Sequence, residues 1–158
     1  MALILQAFFI TCVYNQMNYA SVKYIIYFCG IYSIGFAIFH AYFWRLFNWE
    51  EETKKLSVAN NAILQIANIQ LIIIFLGFAA ICFIFPRALL SSKLGNVILM
   101  GISLFWLCRT IQQFIFLKIK SKFVNILTGL FILGTLSFAS PVLIKLIFFK
   151  PCSSVNGK

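Results

Sequence analysis

Six polar side chains stand inside or at the edge of long apolar stretches of this sequence: His40, Asn61, Gln65, Asn68, Arg109 and Gln113. The spacing i, i+4, i+7 of Asn61, Gln65 and Asn68 places these amides on one face of a helix. Arg109 and Gln113 are also one helical turn apart. A cation next to amides can bind an anionic or carbonyl-bearing head group, so the six residues predict a ligand-binding site. No catalytic residue is predicted.

The charge of Arg109 requires a partner, because an arginine at the centre of a membrane helix costs about 2.5 to 3.5 kcal/mol even on a lenient insertion scale. The only acidic residues are the glutamates at positions 50–52. The candidate partners are the amide oxygens of Gln65 and Asn68, backbone carbonyls, those glutamates, or an anionic ligand. Alternatively, Arg109, His40 and the amides form hydrogen bonds between helices and fix their register.

The single histidine, His40, gives little support for metal or redox chemistry. The chain has no Asp, its glutamates are confined to positions 50–52, and its five cysteines include no C-x-x-C pair. Metal and haem sites need more ligands at one depth than this pattern offers. We therefore predict no metal and no cofactor, and a neutral, hydrogen-bonded His40.

The composition is typical of an integral membrane protein. Of 158 residues, 63% are hydrophobic and 10% are charged, and 13 Lys and Arg against three acidic residues give a net charge of +10. The basic residues lie at the ends of apolar stretches, which predicts contact with lipid head groups and not with nucleic acid. In the connector after the first stretch, Glu50 and Glu51 precede Lys54 and Lys55 by four residues, a spacing that favours one more turn of the first helix or an interfacial helix. The alternative is a solvated connector, which is the usual role of such a charged run.

Four apolar stretches are long enough to cross a bilayer, since about 20 helical residues span a hydrocarbon core of ~30 Å. They comprise residues 24–47, 63–85, 97–117 and 123–144. The short connections between them force consecutive helices to alternate in direction. The sequence therefore predicts an all-α fold, an integral membrane antiparallel four-helix bundle with short loops.

The predicted organisation has three parts. Residues 1–19 are a short apolar segment, either interfacial or upstream of a true start at Met17, because the stretch is too short to span a bilayer. Residues 20–150 form the transmembrane domain, and residues 151–158 a flexible tail. The counts of Lys and Arg on the two sides nearly balance, so the orientation stays open.

Three segments resemble small four-span integral membrane proteins of bacteria whose role is unassigned. They are Phe39-His40-x-x-Phe43-Trp44-x-Leu46-Phe47-x-Trp49, Leu56-Ser57-x-x-Asn60-x-x-Ile63-x-Gln65-x-x-Asn68, and Leu104-Phe105-Trp106-Leu107-x-Arg109-x-x-x-Gln113. The resemblance covers residues 23–144. It implies a multi-pass protein of the bacterial inner membrane, and it implies no activity.

Two functions are consistent with these patterns. The first is a small multi-pass membrane protein that binds an amphiphile, such as a lipid, a quinone or an isoprenoid-like molecule, or that serves as an accessory or structural subunit. Its expected partners are membrane lipid and a larger membrane complex or a second copy of the chain. The alternative is a small transporter or proton-conducting protein that uses His40 and Arg109. Enzymatic activity is not predicted.

Overall fold

The computed structural model describes residues 2–117 and 121–148, with the backbone alone for residues 2–20 and 148. This part of the chain is helical and contains no strand. The all-α prediction is therefore confirmed. The predicted tail at residues 151–158 lies outside the described residues.

The helices follow one another with short connections. Their bounds are α1 (Ala2–Ala41), α2 (Phe43–Leu46), α3 (Trp49–Glu52), a 3-10 helix (Thr53–Lys55), α4 (Val58–Ile84), α5 (Pro86–Ser91), α6 (Lys93–Phe116) and α7 (Lys122–Phe148). Four segments are long and apolar enough to cross a membrane: Ser21–Ala41, Val58–Ile84, Lys93–Phe116 and Lys122–Ile147. The predicted number of such helices is thus confirmed for the described residues.

The first long helix differs most from its predicted bounds. It begins at Ala2 and continues without interruption for 40 residues, so the backbone of the predicted N-terminal segment runs directly into the first apolar stretch. It ends at Ala41, earlier than the predicted end at residue 47. Short helices follow, and Asn48 between them adopts the left-handed conformation with φ of 46°. Asparagine tolerates this conformation better than most residues, which explains why the helical backbone breaks between α2 and α3 at this position.

Serine residues cap the N-termini of two of the long helices. Ser57 Oγ accepts a hydrogen bond from the backbone N–H of Asn60 at the start of α4, and Ser92 Oγ accepts one from Gly95 at the start of α6. Both serines satisfy backbone donors that have no partner within the helix. A Cβ atom at Gly95 would clash with the backbone carbonyl oxygens of Ala88 and Leu89, so the connection between α5 and α6 requires glycine.

The chain divides into two compact units, and each is described by itself. The α1–α4 unit comprises Tyr27–Pro86, and the α6–α7 unit comprises the described residues up to Ile26 and from Arg87 onward. In the α1–α4 unit, the rings of Tyr27 and Phe83 lie 6.1 Å apart, and those of Phe36 and Phe75 lie 5.7 Å apart. Residue numbers therefore rise along α1 while those of its partners fall along α4.

The α6–α7 unit is joined by side-chain hydrogen bonds. Near the beginning of α6, Asn96 Oδ1 accepts from Lys145 Nζ at 3.3 Å. Further along, Ser103 Oγ donates to the carbonyl oxygen of Thr135 at 2.9 Å. Residue numbers therefore rise along α6 while those of its partners fall along α7.

Pro141 lies inside α7 and is fully buried. A proline has no N–H, so the carbonyl oxygen of Ser137 loses its usual donor four residues later. The hydroxyl of Ser140 donates to that oxygen at 3.0 Å. This local replacement explains how α7 continues through the proline.

Candidate functional site

His40 and Asn68 form a reciprocal contact in the α1–α4 unit. The distance between His40 Nδ1 and Asn68 Oδ1 is 2.8 Å, and Asn68 Nδ2 donates to the carbonyl oxygen of His40 at 3.0 Å. Because the amide nitrogen already donates, the amide oxygen accepts, and Nδ1 of the imidazole carries the proton. Both side chains are buried.

This contact stabilises the end of α1. The helix ends at Ala41, so the carbonyl group of His40 is one of its last four carbonyls. These four carbonyls receive no hydrogen bond from an N–H group of the same helix. Asn68 supplies the missing donor from α4. The imidazole ring stacks on Phe43 at 4.2 Å and lies 5.3 Å from the ring of Phe75. The arrangement is that of a packing contact between aromatic side chains.

The other two predicted residues of α4 bond to each other. Gln65 Nε2 donates to Asn61 Oδ1 at 2.7 Å, as the i, i+4 spacing predicts. Both side chains are partly buried, whereas Asn68 on the same face is buried. This bond lies within one helix, so it fixes the two amides locally.

The acidic residues of the connector also have local partners. Glu51 pairs with Lys54 at 2.9 Å, and Glu52 pairs with Lys55 at 2.8 Å, both with exposed side chains. The pairs join residues three apart and not four, because the chain tightens into a 3-10 helix at Thr53–Lys55.

Gln113 connects α6 to α7 in the other unit. Its Nε2 donates to the carbonyl oxygen of Val124 at 2.8 Å and to Thr128 Oγ1 at 2.7 Å. The hydroxyl of Thr128 in turn donates to the same carbonyl at 2.9 Å. Both hydrogens of the Gln113 amide are therefore used. Its Oε1 is buried and has no hydrogen-bond partner among the described residues.

Arg109 lies one turn before Gln113 and is partly buried. Its guanidinium carbon lies 5.6 Å from the centroid of the Phe131 ring, a cation–π contact. Within the described part of its unit, it forms no hydrogen bond and no ion pair. The aromatic ring attracts the cation without neutralising it, so Arg109 keeps its capacity to bind an anion.

Arg109 and Gln113 line a cavity of about 220 Å³ in the α6–α7 unit. The lining residues are Arg109, Gln112, Gln113, Phe116, Leu117, Leu127 and Phe131. Arg109 lies about 10 Å along the axis from the end of α6 at Phe116. Polar groups at one wall of an otherwise apolar cavity are the usual composition of a small-molecule site.

The six predicted residues thus fall into three groups. His40 bonds to Asn68, Asn61 bonds to Gln65, and the pair from α6 lines the cavity. The other five residues that line the cavity were not predicted, and Gln112 and Phe131 are among them. Gln112 could have been identified from the sequence, because it is a polar residue next to Gln113. Phe131 is one of 19 phenylalanines, and its local sequence does not distinguish it from the others.

No group of three His, Cys, Asp or Glu side chains comes close enough to hold a metal ion within the described ranges. Comparison with known proteins adds no relative: no family model, no curated protein and no solved structure matches this chain significantly. The resemblance to small four-span bacterial proteins therefore stays a prediction.

Proposed function

We propose that this chain is a multi-pass membrane protein, an antiparallel four-helix bundle that binds an amphiphile with an anionic head group in the cavity at Arg109. The four long apolar helices support insertion. The pairing of residues in opposite order, in the α1–α4 unit and again in the α6–α7 unit, supports the antiparallel arrangement.

The observation that carries the binding proposal is the charge of Arg109. It stands in an apolar helix, lines a cavity and has no anionic partner in the described part of its unit. An unneutralised cation in a membrane helix is costly, and such residues usually mark binding sites. An anionic head group would supply the missing charge through short, charge-assisted hydrogen bonds.

The size and surroundings of the cavity favour a lipid over a wholly polar anion. A volume of about 220 Å³ corresponds to roughly seven water molecules, enough for a head group and too little for acyl chains. The side chains of Phe114 and Phe116 nearby on α6 are 65% and 81% exposed. Acyl chains would lie along such apolar surface while the head group reaches Arg109.

The chemistry of the lining residues supports binding and not catalysis. The cavity wall consists of one arginine, two glutamines and four apolar side chains. None of these seven is a nucleophile or a general base that operates near neutral pH. The site can therefore hold and orient a ligand, and the proposal includes no reaction.

Native mass spectrometry with defined lipids tests the binding proposal. Wild-type protein in mild detergent should retain an anionic phospholipid over phosphatidylcholine, and Arg109→Gln should reduce this preference about tenfold. Arg87→Gln is the matched control, since it removes the same charge from an exposed position of α5 in the same unit. Equal retention of anionic lipid by wild type and Arg109→Gln would overturn the proposal.

Labelling of single cysteines in a cysteine-free background tests the antiparallel topology. Cysteines at exposed Leu56 and at Ser121 should react with a membrane-impermeant reagent from one side of the membrane. A cysteine at Ser91, between the second and third long helices, should react from the opposite side. Reaction of all three from the same side contradicts the proposed bundle.

A further inference from the structure

Gln113 carries a hydrogen-bond acceptor that its protein surroundings leave unused. The side chain is only 7% exposed, and its two amide hydrogens bind Val124 and Thr128. These bonds fix the orientation of the amide, because a flipped amide would turn Oε1 toward two oxygens that offer it no proton. The Val124 oxygen is a carbonyl, and the hydroxyl of Thr128 already donates to Val124. A buried acceptor without a donor costs roughly 1 to 3 kcal/mol.

Gln113, the residue that carries this buried acceptor, also lines the cavity of Arg109. Gln113 and Arg109 are one turn apart on α6, and both line the same space. A ligand that satisfies both must present an anionic oxygen to the guanidinium and a hydrogen-bond donor to the amide oxygen. The donor is a hydroxyl and not an ammonium group, because a second cation would be repelled by Arg109.

We infer that the amphiphile of the Arg109 cavity is a monoanionic phosphodiester lipid whose head group carries hydroxyls, of the glycerol-phosphate type. This inference rests on the proposed function and specifies its ligand class. The phosphodiester binds Arg109, and a head-group hydroxyl donates to Oε1 of Gln113. The cavity of about 220 Å³ accommodates a small polyol together with its phosphate.

The test compares two lipids that differ in hydroxyl groups alone. Phosphatidylglycerol and phosphatidylpropanol with the same acyl chains have the same charge and nearly the same size. Each is titrated into the full-length protein in mild detergent, with phosphatidylcholine as the uncharged reference, and bound lipid is counted by native mass spectrometry. Wild-type protein should bind phosphatidylglycerol roughly fivefold more tightly than phosphatidylpropanol, the expected effect of one buried hydrogen bond.

The possible outcomes separate this inference from the proposed function. If both anionic lipids bind equally and more tightly than phosphatidylcholine, the hydroxyl inference is wrong and the anionic site stands. If all three lipids bind equally, the anionic site itself is refuted. The measurement uses wild-type protein, so it decides the question without any variant.

Two variants then assign the preference to one atom. Gln113→Leu removes Oε1 and should abolish the preference for phosphatidylglycerol over phosphatidylpropanol. Thr128→Val is the matched control, because it breaks a bond of the same amide to α7 and leaves Oε1 in place; it should keep the preference. Loss of the preference in both variants would show that the packing of α6 on α7, and not the acceptor, determines it, and would overturn the inference.

Discussion

The two units differ in whether their buried polar groups have hydrogen-bond or charge partners. In the α1–α4 unit, the side chains of His40 and Asn68 satisfy each other and the end of α1. In the α6–α7 unit, Gln113 binds α7 through its amide hydrogens, but its oxygen is left over, and the nearby Arg109 contacts an aromatic ring in place of an anion. Both groups lie within long apolar helices.

The difference distinguishes packing from binding. In a reciprocal pair the polar groups bind each other, so the contribution of the pair is to register and stability. Arg109 and Gln113 line one cavity, and they have a cation without an anion and an acceptor without a donor. Burial of such groups opposes folding until a ligand binds them. Burial alone would have placed Gln113 in one class with His40 and Asn68, since all three side chains are buried. Their hydrogen-bond partners separate them.

The largest expected effect is on stability, from Asn68→Leu. The change removes both bonds to His40 and leaves a buried N–H and a buried carbonyl without their partner. We expect unfolding free energy to fall by about 2 to 3 kcal/mol, measured by denaturant titration in detergent. Lipid selectivity should be unchanged, because the contact lies outside the cavity.

The double variant His40→Phe with Asn68→Leu sharpens this prediction. It replaces both side-chain partners by apolar groups among the rings of Phe43 and Phe75. Replacing both members of a pair is less costly than removing one, so the double variant should recover part of the lost stability. A double variant less stable than Asn68→Leu alone would show that His40 contributes independently of the pair.

The second prediction concerns stabilisation by lipid. At an anionic phospholipid concentration 100 times its dissociation constant, binding should add about 2.7 kcal/mol to wild-type stability, and Arg109→Gln should lose about half of it, because a site that binds about tenfold more weakly adds only about 1.4 kcal/mol. Without lipid, the same substitution should leave the melting temperature unchanged or raise it, since it removes an unneutralised charge from an apolar helix. A lower melting temperature without lipid would indicate that Arg109 has a structural partner.

Sequence alone predicts the long helices better than their ends. Length and apolarity suffice for four helices, because any crossing segment must satisfy its backbone internally. The sequence predicts an end at residue 47 and not at Ala41, because residues 42–47 are aromatic or apolar with the exception of Arg45. The break there depends on the conformation of Asn48 and on the contact with Asn68, which no local pattern encodes.

The candidate site, like the helices, is predictable from the sequence only in part. That Arg109 has no carboxylate partner on its own helix follows from the composition. Its contact with Phe131, and the bonds of Gln113 to Val124 and Thr128, depend on how α6 and α7 are registered against each other. Register is set by packing along the whole length of both helices, so spacing within one helix cannot provide it.

The third prediction concerns the aromatic support of Arg109. Phe131→Leu should weaken anionic lipid binding about threefold, because a cation–π contact of roughly 0.5 to 1 kcal/mol holds the guanidinium against the ring. Phe138→Leu is the control: it removes a similarly buried ring from the same helix, and that ring is not among the residues lining the cavity. Equal loss of binding in both variants, measured by native mass spectrometry, would assign the effect to packing of α7.

The smallest effect is expected at the exposed ion pairs, which provide the baseline for the comparison between units. Glu51 and Lys54 are paired in the structure, but their side chains are 62% and 65% exposed. Solvent screens such a pair, and ordering two long side chains offsets much of the attraction. Glu51→Gln should therefore change unfolding free energy by less than about 0.5 kcal/mol and leave lipid selectivity unaltered. A reduced preference for anionic lipid in Glu51→Gln would mean that the connector contributes to selection of the head group, and the cavity at Arg109 would no longer be sufficient to explain it.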